Sequence, residues 1–286
     1  MTTAAARPQL ERATRDVAAR GARIRFVEAG VGPAIVLIHD YLSSHVAWED
    51  TLPGLAARFR VIAPDLPGFG ESEKPPPSRY AYGYDAFAES VVDLLAALGE
   101  NRVSLCGQGL GGAVALTVAA NHPHLVDKLI LVNPAVYPSP PDALSRLAVF
   151  PLLGPIVFKQ LYGRAMFRRH FRDRFYGSDA PVRSTRVDYL FDLFSGPAAR
   201  EAAFATMLAT LDTRPLMAKV PRVTVPTLVV WGRADRVSPV EHGRRLAREL
   251  QHARFEVFEC GHSPPEECPQ AFVEAAVTFL ASGQRL

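Results

Sequence analysis

Continuous apolar runs alternating with stretches of helical spacing fill the first half of the chain. Residues 34–38 (Ala-Ile-Val-Leu-Ile) are uninterrupted and β-branched, the pattern of a strand buried on both faces. Shorter runs at 60–63, 103–106 and 128–132 repeat it. Ahead of them, 14–19 and 22–28 are broken by Arg20-Gly21, which predicts a hairpin at a sheet edge. Residues 45–58 are predicted to form a helix with Ser43 or Ser44 as its cap. In 84–98, Phe87, Val91, Leu94, Leu95 and Leu98 recur at helical intervals until Gly99 stops the run. The small-residue stretch 110–121 predicts a further helix. Strands and helices alternating at this spacing predict a parallel sheet with helices on both faces, a doubly wound α/β core.

The rhythm lapses from Pro134 to about Val220. That segment is rich in Arg, Phe, Leu and Pro, with helical spacing over 187–194 and 200–211, and predicts a helical insertion standing over the sheet. Strand and helix signals resume at 226–231, 240–250, 254–258 and 269–280. The expected organisation is a single domain over 1–286, with a core at about 14–135 and 220–282 and a helical cap at about 136–219. At 286 residues and 48% apolar composition the chain can bury a large core. No apolar run reaches the roughly 18 residues of a spanning helix, so integral membrane association is not expected. A net charge of +3 is too small and too diffuse for a nucleic-acid-binding face. Residues 1–12 lack the apolar core of a secretory signal, so a cytoplasmic location is expected. Cys106, Cys260 and Cys268 show no Cys-x-x-Cys spacing, which speaks against a disulfide framework or a zinc site; no metal or organic cofactor is implied.

The chemistry gathers around Gly107-Gln108-Gly109-Leu110-Gly111, between a predicted strand and a predicted helix. This is the strand-turn-helix corner that presents a nucleophile in Gly-x-Ser-x-Gly proteins, yet Gly109 stands at its tip. Two further signals follow the insertion. Asp235 lies just past the strand 226–231, in Trp-Gly-Arg-Ala-Asp, and His262 just past the strand 254–258, in Cys-Gly-His-Ser-Pro. Residues beyond the carboxyl ends of strands in a doubly wound sheet share one crevice, so Gly109, Asp235 and His262 should converge there. Their order along the chain is nucleophile position, acid, histidine.

On these residues the chain resembles the α/β-hydrolase superfamily, of the cap-bearing type that includes esterases, epoxide hydrolases, haloalkane dehalogenases and C–C bond hydrolases. The resemblance covers about residues 14–280, and implies an α/β-hydrolase fold with a mostly parallel doubly wound sheet and a helical cap. His39 matches the start of the family's His-Gly loop, and 65–72 its Asp-x-x-Gly-x-Gly-x-Ser loop. Asp40 stands where the family usually has Gly, and Gly109 where it has Ser, Asp or Cys. By the resemblance, the oxyanion donors are the backbone N–H groups of Tyr41 and Leu110. A carboxylate at position 40 opposes negative charge beside those donors unless it turns away or is protonated. His39 and Asp40 are therefore additional candidates for the site.

The expected function is a hydrolase, or related lyase, acting on a small, largely apolar ester-, epoxide- or ketone-like molecule. In the favoured form, Asp235 orients His262, which deprotonates a water held in the space left by the missing side chain, or a substrate proton directly. Cys106, Cys260 and Asp40 are weighed as replacement nucleophiles and set behind that water. Two alternatives stand beside it: a non-catalytic binding or regulatory protein of the same fold, and an ordinary serine hydrolase whose serine has been removed by mutation. In the insertion, Lys159, Arg164, Arg168, Arg169, Arg172, Arg174, Arg183 and Arg186 face only Asp173 and Asp179. A solvated helix face is the expectation; attraction of an acidic substrate, or membrane-surface contact through Phe167, Phe171 and Phe175, are the sharper readings.

Overall fold

The buried runs become the strands of one eight-stranded sheet of order β1-β2-β4-β3-β5-β6-β7-β8. The structure is a computed structural model that describes residues 12–139, 150, 154–177 and 183–283. An antiparallel hairpin, β1 (Arg12–Ala19) and β2 (Ala22–Ala29), forms one edge, turning at Arg20-Gly21 as expected. β2 pairs antiparallel with β4 (Arg60–Pro64). From there the sheet is parallel through β3 (Ala34–Ile38), β5 (Val103–Gln108), β6 (Val126–Val132), β7 (Thr227–Gly232) and β8 (Ala253–Phe258). Parallel strands need crossover connections, and the predicted helices supply them.

The span 45–58 is not one helix. Ser44 caps a 3₁₀ turn, His45–Trp48, and only α1 (Leu52–Ala56) is α-helical. Pro53 stands just inside α1, where its missing N–H costs nothing, whereas a helix running through from 45 would need that donor. The other core helices fall where the periodicity puts them: α2 (Tyr84–Ala97), α3 (Leu110–Asn121), then Val240–Glu249 and Pro269–Ala281. Every residue of α3 up to Ala120 is buried, which is why its sequence is small and apolar all round.

The insertion carries helices among its described residues, at Arg164–His170, a π-helical turn at Phe171–Phe175, Ser184–Ser195 and Pro197–Ala209. It is tied down beside the carboxyl ends of the strands: the Tyr41 hydroxyl donates to the Ala203 carbonyl, and the His262 N–H to the Phe175 carbonyl. Phe167, Phe171 and Phe175 are buried in the aromatic core of this cap, which overturns the reading of them as a membrane-contacting face. The basic segment is also less bare than its local sequence suggests. Arg164 and Arg168 pair with Asp188, Arg169 and Arg172 with Asp173, and Arg183 and Arg186 with Asp50. Asp188 and Asp50 come from other elements, which a count of Asp173 and Asp179 alone misses. Asp179 and the reading of the N-terminal segment 1–11 lie outside the described residues.

Candidate active site

The corner between β5 and α3 keeps its strained geometry without its side chain. Gly109 sits at φ 51° and ψ −113°, a left-handed backbone that only glycine adopts freely. A Cβ on Gly107 would strike the Gly111 backbone, and one on Gly111 would strike the carbonyls of Ile38 and His39, so the corner closes on α3 and on the end of β3 only because both are glycine.

Asp40 fills the space above Gly109. Its Oδ1 accepts from the backbone N–H of Tyr41 at 2.6 Å and of Leu110 at 2.7 Å. Its Oδ2 lies 3.0 Å from Nε2 of His262, whose Nδ1 is 2.7 Å from Oδ2 of Asp235. A side chain at position 109 would overlap the Asp40 carboxylate. One expectation is thereby corrected and one open condition answered. The space left by the missing nucleophile holds no room for a water, because a carboxylate stands in it. Nor does Asp40 turn away from the two amide donors; it occupies both.

Both ring nitrogens of His262 face carboxylate oxygens, which accept and do not donate when ionised, so the imidazole is held as a cation. Burial opposes the charge, but Asp235 and then Asp40 outweigh it and push the His262 pKa up to about 10. Asp235 is held below the usual carboxylate range against its own burial, by His262 and by the N–H groups of Ser238 and Val237, both bonded to Oδ1. Asp235 thus closes a local turn as well as facing the histidine. Asn133, at φ 43° just past β6, donates its side-chain amide to Asp235 Oδ2.

His39 stands apart from this chemistry. Its Nε2 accepts from the Leu66 N–H at 2.9 Å and its Nδ1 donates to the Asp40 carbonyl at 2.7 Å, so both nitrogens hold loops in place. Burial lowers its pKa and keeps it neutral. Cys106 is sealed in the core on β5, and burial pushes its thiol far up, away from the thiolate a nucleophile needs. Burial does the same to Cys260. Among the described residues no cluster of three or more His, Cys, Asp or Glu could hold a metal ion, and no helix is long and apolar enough to cross a membrane.

The sequence did not point to the groups that pin the histidine. Gln108 donates to the His262 carbonyl, Phe175 sets its ring edge-on to the imidazole at 5.1 Å, and Glu267 accepts from the N–H groups of Gly261 and Ser263. Asn133 could have been suspected from its place at a strand's carboxyl end, whereas Phe175 carries no local signal. Above Asp40 and His262 opens a cavity of about 480 Å³, walled by Leu42, Leu110, Phe158, Phe175, Met207 and Leu211 among others. An apolar chamber with a few polar groups on its floor suits a small organic molecule.

Comparison with known proteins agrees with this architecture. Residues 33–269 match the α/β-hydrolase-fold family. A 2-hydroxy-6-oxo-6-(2'-aminophenyl)hexa-2,4-dienoic acid hydrolase of Metapseudomonas resinovorans is 31% identical over 278 residues, 93% of this chain and 90% of that one. A soluble epoxide hydrolase of Corynebacterium sp. (strain C12) is 29% identical, over 91% of this chain and 94% of that one. Among solved structures, a serine hydrolase involved in carbazole degradation superposes with a TM-score of 0.81 at 27% identity, covering 95% of this chain and 99% of that one. With its parallel sheet, its glycine corner and its buried histidine between two carboxylates, the chain belongs to the α/β-hydrolase family.

Proposed function

We propose that the protein is a hydrolase in which Asp40 does the work of the absent residue-109 nucleophile, on a small, largely apolar molecule with an electrophilic saturated carbon such as an epoxide. The carrying observation is the Asp40 carboxylate itself, one oxygen on the amides of Tyr41 and Leu110 and the other on His262, at the floor of the cavity. Because the two amide donors already hold an oxygen of the enzyme, a substrate carbonyl has no free donors for its developing oxyanion, which disfavours acyl transfer. A carboxylate held by one oxygen can attack a saturated carbon with the other. The Oδ2–carbon bond forms as the carbon–leaving-group bond breaks on the far side, and an alkoxide takes its proton from water in the pocket.

The ester then undoes itself by the same geometry. Esterification removes the charge of Asp40, one of the two carboxylates holding His262 charged, so the ring releases its proton and balances the one the alkoxide took. Neutral His262, oriented by Asp235, deprotonates a water that attacks Cγ of Asp40, and the oxyanion forms on the oxygen already bonded to the two amides. Collapse expels the alcohol, which is reprotonated by His262, and the carboxylic acid returns its proton to the ring. The likeness to an epoxide hydrolase supports such a substrate. Serine loss at position 109 is opposed by the fit of Asp40 into the space a serine would need.

The test is mass spectrometry of single turnovers in ¹⁸O-water over a panel of aryl and alkyl epoxides. Label entering the peptide that contains Asp40, and a covalent adduct on the same peptide in His262→Ala, are expected. Turnover undiminished in Asp40→Asn, or label only in product over repeated cycles, would refute it. Ligand binding without any turnover across the panel would favour the non-catalytic reading, in which the occupied donors simply close the site.

A further inference from the structure

Arg174 stands apart among the described arginines of the cap. Its neighbours in the basic segment are matched with acids, and the nearest acid in sequence, Asp173, is engaged by Arg169 and Arg172. Among the described residues Arg174 has no hydrogen bond and no ion pair, and its Nε is buried without a partner. It lies on the π-helical turn Phe171–Phe175, next to the Phe175 ring that packs on His262, and lines the same cavity as Asp40 and His262. Arg174 is half-buried, and an unpaired guanidinium at a cavity wall is where an anionic ligand finds a partner.

We infer that the cavity takes an amphipathic anion, an apolar body bearing one carboxylate, with the carboxylate seated on Arg174. The guanidinium fork suits a planar, two-oxygen anion. Asp40 on the floor and Asp235 buried behind His262 set two carboxylates against one imidazolium, a net negative charge, so an anionic group is repelled from the reacting end and drawn toward Arg174. That polarity orients the substrate: charge toward Arg174, apolar body along Phe158, Met207 and Leu211, and the reacting carbon toward Asp40. This inference deepens the reading of the site given above, but its test is binding and needs no turnover.

Calorimetry with phenylbutyrate and its neutral amide, on the whole protein at low salt, separates the possibilities. The carboxylate is expected to bind about 10- to 100-fold more tightly than the amide, the worth of one hydrogen-bonded charge pair. Arg174→Gln should erase that preference while leaving the amide's affinity unchanged, which also shows that the variant is folded, and Arg174→Lys should restore part of it. Equal affinities for the two ligands in the wild type, or a preference that survives Arg174→Gln, would overturn the proposal. Repeating the pair of titrations in Asp40→Asn distinguishes the two readings. A retained preference in a variant that has kept its turnover would leave the anion site standing and sink the nucleophile.

Discussion

Placing a serine at position 109 tests the geometry most directly, because the structure says that serine and Asp40 exclude each other. A Cβ at 109 overlaps the Asp40 carboxylate, so Gly109→Ser must expel it from Tyr41 N–H (2.6 Å), Leu110 N–H (2.7 Å) and His262 Nε2 (3.0 Å). At roughly 1.5–3 kcal/mol for each bond to a charged group the ceiling is about 9 kcal/mol, and resolvation by pocket water leaves an expected net loss of about 3 kcal/mol. In Asp40→Gly the obstacle is gone, and beyond its backbone strain the same serine should cost under about 1 kcal/mol, so the two changes should couple by about 2 kcal/mol. The backbone strain of a non-glycine residue at φ 51° is common to both backgrounds and cancels in the cycle. Urea unfolding of the four proteins measures the coupling. Fluorophosphonate labelling and nitrophenyl acetate hydrolysis then ask whether Asp40→Gly/Gly109→Ser, with free amide donors and a serine facing His262, becomes a serine esterase while Gly109→Ser alone does not. Coupling below about 0.5 kcal/mol, or equal labelling of the single and double variants, would refute the steric argument.

Two further outcomes follow from the charges. His262 is raised from 6.5 to about 10, so its contribution to stability is complete below pH 6.5 and is lost as the pH rises toward 10. Asp40→Asn should pull the upper edge of that window down, visible in urea unfolding between pH 6 and 10 and in the ring's NMR titration; an unmoved titration would mean that Asp40 does not hold the charge. Arg186 bonds the buried Glu266 at 2.8 Å and also Asp50, joining the cap to the short helix Pro264–Glu267 after His262. Arg186→Ala strands that glutamate and should cost about 3–5 kcal/mol by thermal or chemical unfolding, whereas Arg186→Lys should keep part of it.

The fold was legible where burial is two-sided and continuous. The runs 34–38 and 103–106 could be read as strands because nothing but a buried sheet accounts for them, and 84–98 as a helix because its spacing admits no other period. The span 45–58 misled because its apolar content outweighed Pro53 in the reading, while the chain stops and restarts its helix there. In the site, Asp235 and His262 were legible from their place after strands, and they come together as expected. What stayed hidden is contact between distant segments: the pairing of cap arginines with acids elsewhere, and Phe175 against the imidazole.

Asp40 and Gly109 show how such a contact could have been foreseen. In the register of β3 with β5, Ile38 stands beside Gly107. Asp40 and Gly109 are each two residues further on, at the carboxyl ends of adjacent parallel strands, which lie about 4.8 Å apart. Side chains from the two positions reach the same point above the sheet, between the amide donors and the histidine, and that point has room for one of them. Taken singly, a glycine at 109 is a lost nucleophile and an aspartate at 40 a spoiled donor loop. Taken across the register they are one exchange, in which the group that His262 faces is delivered from the end of β3 instead of β5, and each departure is what makes the other fit.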